Sequence, residues 1–294
     1  MKIALTQVDI IWEEKEKNKA VCEQLVREAA MHQAELIIFP EMTLTGFTMN
    51  PEKYGEHSLI QTDGSRETVR KESERSEEFF QALSENYGIA ILFGYIEEKE
   101  NNYYNMLELT DGKEILMKYA KIHPFSYGEE SMHYCGGDSI VYACIHDICV
   151  GGFICYDLRF PEVFQISSRK NELICVIANW PESRIEHWKT LLQARAIENQ
   201  CYIVGINRKG EGNGLYYPMS SMAFDPYGKR IDYKEKNSES ESTLLYADIK
   251  AEIVQQCRKE FPVKEDRREN LYRELNKNLS GFQEFFCTAK LRQY

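Results

Sequence analysis

Three residues of this chain stand where apolar, strand-like runs end: Glu41 in ELIIFPEM, Lys121 in MKYAKIHPF and Cys155 in GGFICYDLRF. A carboxylate, an amine and a thiol brought together would suit acyl transfer. A thiol of ordinary pKa about 8.5 is mostly protonated at neutral pH, so it needs a base as it attacks a carbonyl carbon. The histidine nearest to Cys155 in sequence, His146, lies back at a hairpin-like turn, and the base must come from elsewhere. Glutamate serves where burial raises its pKa towards neutrality. A neighbouring ammonium, helped by the backbone N–H of Tyr156 that follows the thiol, would stabilise the oxyanion; losing one such donor typically costs roughly 3 to 4 kcal/mol. Taken singly, each residue has a plainer use: Cys155 in a core, Glu41 on a loop, Lys121 on a solvated hairpin.

The elements that must position the trio alternate along the chain. KIALTQVDI reads as a strand, NKAVCEQLVREAAMHQ as an amphipathic helix and ELIIFPE as a strand covered on both faces, which is a βαβ opening. SEEFFQALSENYG supplies a helix ended by glycine, and IAILFGYIEE another strand. NMLELTDGKEILMKYAKI predicts a hairpin with Asp111-Gly112 as its turn, and VYACIHDICVGGFICY a second hairpin. ELICVIANW, CYIVGINRK, SSMAFDPYGKRID and STLLYADI add strands; PEVFQISSRK, RIEHWKTLLQARAIENQ and AEIVQQCRKEF add helices. Strands that mix crossovers with hairpins predict two mixed sheets packed together with helices outside, an α/β class. In such sheets ligands gather at the carboxyl ends of strands. EKNSESEST reads as a solvated charged loop.

Composition narrows the partners. A formal net charge of -11 argues against a nucleic-acid groove or an anionic membrane surface, since both would repel it. Small-molecule chemistry is the default. The 294 residues carry no Gly/Ser/Pro-rich linker, no internal repeat and no apolar run long enough to span a bilayer. MKIALTQVDIIWEEKEKN turns polar too early for a secretory signal. The nine cysteines form no CxxC pair, which predicts thiols in a reducing cytoplasm rather than a disulfide framework. No HExxH, CxxC or glycine-rich phosphate loop is present, and neither metal nor organic cofactor is expected.

FPEMTLTGF, KYAKIHPFSYGEE and CYDLRFPEVF, in that order, resemble the three signature segments of the nitrilase superfamily of carbon-nitrogen hydrolases. The resemblance covers residues 1–265. It implies Glu41 as general base, Lys121 as catalytic lysine, Cys155 as nucleophile, and a second glutamate at Glu130, with Glu129 as the adjacent alternative. It also implies a four-layer αββα sandwich, no cofactor, and homodimers or higher homo-oligomers. ANWPESRIEHWKTLLQARAIENQCYIVGINRKG with CYDLRFPEVF most resembles the omega-amidase branch, which hydrolyses the terminal amide of 2-oxoglutaramate and of 2-oxosuccinamate.

Such a substrate is an anion, so local cations must bind its carboxylate. Arg184, Arg159 and Arg208 are the candidates, although Arg159 beside Asp157 and Glu162 could instead brace the turn, and Arg195 is expected to pair within its helix. Trp180 and Phe47 are candidates for an apolar wall, weighed evenly against core packing. His123 is expected to fix backbone, and Cys175 and Cys201 to fill the core. Residues 266–294 form an extension whose Leu271, Leu275, Leu279, Phe282, Phe285 and Phe286 recur at helical spacing. Other accounts are hydrolysis of a nitrile or of a deaminated peptide's amide, an acyltransferase using the same thioester, and a non-catalytic scaffold.

Overall fold

The computed structural model describes residues 1–57, 75–235 and 244–280. The chain opens with β1 (Lys2–Thr6), α1 (Lys15–Met31), β2 (Leu36–Ile38), α2 (Pro51–Tyr54), β3 (Glu56–His57) and α3 (Ser76–Tyr87). Then come β4 (Ala90–Lys99), β5 (Asn102–Thr110), β6 (Ile115–Ala120), α4 (Glu130–His133), β7 (Tyr142–Ile145), β8 (Ile148–Ile154) and α5 (Pro161–Ser167). The remainder is β9 (Leu173–Ala178), α6 (Ile185–Asn199), β10 (Tyr202–Asn207), β11 (Gly210–Gly212), β12 (Leu215–Tyr217), β13 (Met222–Phe224), β14 (Leu244–Asp248), α7 (Ala251–Glu260) and α8 (Glu269–Ser280). Two compact units divide the chain, Met1–Gln255 and the residues from Gln256 onward. No helix among the described residues is long and apolar enough to cross a membrane.

The first unit holds two mixed sheets, one in the order β14-β1-β2-β4-β5-β6 with β3 beside β4, the other in the order β13-β10-β9-β8-β7. Parallel pairing joins β1, β2, β3 and β4 in the first and β8, β9 and β10 in the second, while β14, β5, β6, β13 and β7 pair antiparallel. β2 and β9 are apolar at every position because both faces are covered. Ile3, Leu5, Leu36, Ile38 and Leu92 share one core with Val150, Cys175 and Ile177 of the second sheet. Their neighbours Ala4, Ile37, Ile91 and Phe93 turn to the other face, against Leu25, Val26 and Ala29 of α1 and Phe79, Phe80 and Leu83 of α3. Burying each such side chain stabilises by about 1.5–3 kcal/mol. On the far side Phe164 of α5 and Trp188, Leu192 and Ala196 of α6 cover the second sheet. The layers are therefore α, β, β, α, as the resemblance implies.

Helix starts and stops follow the sequence. Cys22, Leu25, Val26 and Ala29 form the buried stripe of α1, and α3 stops at Gly88 in the left-handed region, φ +63°. The first hairpin is formed by β5 and β6, whose connection runs over residues 111–114. Most of EKNSESEST, and the side chains of Leu279, Phe282, Phe285 and Phe286, lie outside the described residues.

The expectation of free thiols is corrected at one place. Cys144 and Cys149 are directly opposite in the β7–β8 register, their Cα atoms 4.0 Å apart, and they form a disulfide. The spacing is no CxxC; the two-residue turn at His146-Asp147 is what brings them together. Cys22, Cys135, Cys155 and Cys175 keep free thiols.

The outer face of β4, β5 and β6 carries an ionic cluster. Lys118 contacts Glu77 of α3, with Glu108 at 3.5 Å and Glu97 at 3.8 Å, and the Tyr95 hydroxyl donates to Glu77 at 2.8 Å. Burial and the charge of Glu77 push Glu108 up to about 9, against the pull of Lys118. Its pKa thus lies above the ordinary carboxylate value of about 4.3. The folded chain holds a proton that the unfolded chain releases, so this contribution to stability is whole below about pH 4.3 and is lost as pH climbs towards about 9. Thermal scans at about pH 6 and about pH 9 should show a smaller loss of Tm for Glu108→Gln than for the wild type. An equal loss would clear Glu108 of this role.

Candidate active site

Glu41, Lys121 and Cys155 are each delivered by the end of a strand, and Glu130 by the start of α4. The chain leaves β2 through Phe39, whose N–H donates to Leu92 O at 2.8 Å, and turns at Pro40 so that Glu41 lies over β4. A Cβ at Gly94 would fall 2.6 Å from Met42 N and 2.9 Å from Glu41 Cα. Only glycine admits that approach. Lys121 follows β6 and donates its backbone N–H to Asn105 O at 2.9 Å. Cys155 follows β8 with φ +46°, a conformation that costs of the order of 1–3 kcal/mol in a residue with a side chain.

Asp157 holds that turn. Its Oδ2 accepts from Ile154 N–H at 3.1 Å and the Tyr119 hydroxyl at 2.8 Å. Its Oδ1 accepts from His123 N–H at 3.0 Å and lies 2.8 Å from His123 Nδ1. One buried carboxylate thus binds the turn at Cys155 to the segment after Lys121. His123, stacked on Phe160 at 3.7 Å, serves this brace.

Behind the thiol lies a closed ionic network. Glu41 Oε1 accepts from Lys121 Nζ at 2.9 Å and from Asn105 Nδ2 at 2.8 Å. Glu41 Oε2 accepts from Asn179 N–H at 2.9 Å, while Asn179 Nδ2 donates to Glu41 O at 2.7 Å. Lys121 Nζ also donates to Glu130 Oε2 at 2.8 Å and Oε1 at 3.1 Å. Glu130 is fixed by Asn105 Nδ2 at 2.8 Å and Phe125 N–H at 2.6 Å. Glu129 is exposed, so Glu130 is the glutamate that joins the network. Glu41 and Glu130 are 0% exposed and Lys121 is 1% exposed.

Electrostatics follow from that closure. Burial opposes the Lys121 charge, but Glu130 and Glu41 outweigh it and hold the ammonium above its ordinary range. Burial pushes Glu130 up, with Glu41 adding to it and Lys121 opposing. Burial and then Glu41 push the Cys155 thiol well up, offset in part by Lys121 and the Asn179 backbone. Burial thus favours the protonated form of the Cys155 sulfur.

A cavity of about 220 Å³ opens on Cys155. Tyr156, Arg159, Arg184, Trp180 and Phe47 all line it. Arg159 does not brace the turn: its Nη2 is 3.3 Å from His187 Nδ1 and its guanidinium lies 4.8 Å from the Trp180 ring. Arg184 lies over the Phe125 ring at 5.5 Å. Arg208 is not among the lining residues; it is 0% exposed and donates to backbone carbonyls. Arg195 pairs with Glu198 at 2.9 Å within α6. Cys175 and Cys201 are core residues.

Sequence reasoning passed over Asn105, Asn179 and Asp157. Two of them carried a signal, because buried asparagines beside strand ends, in YNMLEL and IANW, are out of place in apolar runs.

The sequence profile of the carbon-nitrogen hydrolases matches residues 2–259. A 2-oxoglutaramate amidase of Bacillus subtilis (strain 168) is 27% identical over 273 residues, spanning 92% of this chain and 98% of its own. An omega-amidase YafV of Yersinia enterocolitica is 30% identical over 267 residues, spanning 90% of this chain and 96% of its own. Among solved structures, XC1258 of Xanthomonas campestris, a CN-hydrolase superfamily protein with an arsenic adduct in its active site, matches with a TM-score of 0.77 at 27% identity. That match covers 91% of this chain and 97% of XC1258. With the αββα layers and the three strand-end segments in place, the chain belongs to the carbon-nitrogen hydrolase family, the nitrilase superfamily that its signature segments resemble.

Proposed function

We propose that this enzyme hydrolyses the terminal amide of a small carboxylate-bearing substrate, of the 2-oxoglutaramate and 2-oxosuccinamate class, through a thioester on Cys155. The observation that carries the reading is the Glu41–Lys121–Glu130 network, closed by Asn105, beside a thiol whose cavity also presents two arginines. Glu41 takes the thiol proton as sulfur attacks the amide carbon, and the carbonyl oxygen becomes an oxyanion facing Lys121 and the Tyr156 N–H. Collapse breaks the C–N bond, and ammonia leaves with the proton returned by Glu41. Water then attacks the thioester, gives its proton to Glu41, and the acid and the thiol are regenerated. Glu130 holds Lys121 in place.

The relatives named as 2-oxoglutaramate amidase and omega-amidase support the choice of substrate class. Ammonia release compared across 2-oxoglutaramate, glutamine, asparagine and a simple nitrile tests it. Preference for the nitrile or for the neutral side-chain amides would refute the class.

Arg184 and Arg159 are the remaining carboxylate anchors. An unpaired charge in a closed pocket costs several kcal/mol, so Arg184→Met should raise KM about tenfold or more for the anionic amide and much less for a neutral amide of similar length. The ratio of kcat/KM for the two substrates is the readout. A constant ratio would exclude Arg184 and move the same test to Arg159.

A further inference from the structure

Trp12 lines the cavity, and its indole is held in an unusual way. A Cβ on Gly46 would lie 3.0 Å from Trp12 Cε3, and a Cβ on Gly212 would lie 3.2 Å from the same atom. Gly46 belongs to the turn after Glu41, and Gly212 ends β11. Two loops distant in sequence thus leave bare backbone against one ring edge, and at Gly212 the same bare backbone admits Arg208 Nη1, 2.4 Å from where a Cβ would stand.

Each loop is tied to the segment around Trp12 by one charged side chain. Arg208, fully buried, donates from Nη2 to Ile10 O at 2.9 Å and Glu211 O at 2.8 Å, and from Nε to Lys209 O at 3.1 Å. Asp9 Oδ1 is 3.4 Å away. This guanidinium joins the residues before Trp12 to the β11–β12 hairpin, whose Asn213, Leu215 and Tyr217 also line the cavity. It lies 4.8 Å from the Tyr217 ring. On the other side the Glu13 N–H donates to Thr45 O at 2.8 Å. The Glu13 carboxylate accepts from Thr48 Oγ1, from Asn50 Nδ2 at 2.8 Å and from the Tyr54 hydroxyl at 3.0 Å. That fixes the loop carrying Phe47 and Met49, two more lining residues.

We infer that Trp12 is a specificity-determining residue that limits the chain length of the acyl group, and that Arg208 and Glu13 are positioning residues that hold its indole from two flanks. Arg208 therefore acts on substrate through the wall and not as a carboxylate anchor, since it is fully buried, does not line the cavity and has Nε and Nη2 bonded to carbonyls. A wall fixed at both sides discriminates by the methylene, for which a well-packed pocket gives roughly 10- to 200-fold. The inference rests on the amidase reading for its substrate series only.

The test is ammonia release from succinamate, glutaramate, adipamate and pimelamate. For Trp12→Ala the ratio of kcat/KM for pimelamate to that for glutaramate should rise at least about tenfold over the wild type, and for Trp12→Phe by less. Arg208→Met should move the ratio in the same direction and raise KM for glutaramate more than it lowers kcat, with Arg208→Lys restoring part of the selectivity. Should Arg208→Met not fold, Glu13→Gln reads the same effect from the other flank. An unchanged ratio in a Trp12→Ala enzyme that still turns over glutaramate overturns the role of Trp12. A ratio unchanged in folded Arg208→Met or Glu13→Gln overturns the positioning roles. A wild type inactive on all four acids defeats the substrate reading alone. The ratio is then taken over a chain-length series of the neutral amide or nitrile that the enzyme does hydrolyse, where a rise supports each role and an unchanged value overturns it.

Discussion

Cys155→Ala is expected to abolish ammonia release while the protein stays folded. The proposed thioester needs sulfur at this position, and removing the nucleophile of a hydrolase costs on the order of 10⁶-fold in turnover. Alanine occupies the same left-handed backbone at φ +46° as readily as cysteine, and Asp157 keeps its bonds to Ile154, Tyr119 and His123. The fold therefore has little to lose. Cys175→Ala is the control: Cys175 is 0% exposed in β9, so its removal costs about 1 kcal/mol of packing and little activity per folded molecule. Circular dichroism establishes folding, and the ammonia assay reads turnover. Equal losses from the two variants, both folded, would end the case for Cys155.

Lys121→Met is expected to lose both activity and stability, and the two losses can be separated. Without the ammonium, Glu41 and Glu130 remain buried with no counter-ion, which costs about 3–5 kcal/mol in comparable broken pairs. The oxyanion also loses its cation, worth roughly 3 to 4 kcal/mol in the barrier. Adding Glu130→Gln removes one stranded charge, so the double variant should recover much of the stability and none of the turnover. Urea denaturation measures the first and the ammonia assay the second. A single variant as stable as the wild type, or a double variant that regains activity, would refute this account of Lys121.

The sequence made the strand ends legible because strand, turn and chemistry lie within a few residues of each other: apolar run, proline or cysteine, polar turn. It offered Glu41, Lys121 and Cys155 as candidates for that reason, and the resemblance of their three segments implied their roles. The partners that make a site of them were hidden, since Asn105 reaches Glu41 across 64 positions of sequence and Asn179 across 138, and no local periodicity records such a contact. Arg159 and Arg208 illustrate the same limit. Both are arginines close to strand ends, and only packing shows that one faces the cavity while the other is buried behind it, bonded to carbonyls through Nε and Nη2. The Cys144–Cys149 bond was missed because pairing in a hairpin depends on register and not on spacing.

Lys118 and Lys121 stand three positions apart near the end of one hairpin, an odd interval that sends them to opposite faces. Lys118 pairs across to Glu108, and Lys121 bonds the Asn105 carbonyl. A hairpin closed one residue out of step would carry the outer ammonium inward and the inner one outward, since every side chain changes face. Glu41 and Glu130 would lose their cation on one side of the sheet while Glu77, Glu97 and Glu108 lost theirs on the other. The misaligned chain is penalised twice for a single error. The lysine proposed for chemistry thus also acts as a proof-reader of strand alignment, and the connection at 111–114 is where a lengthening or shortening by one residue would be tolerated least.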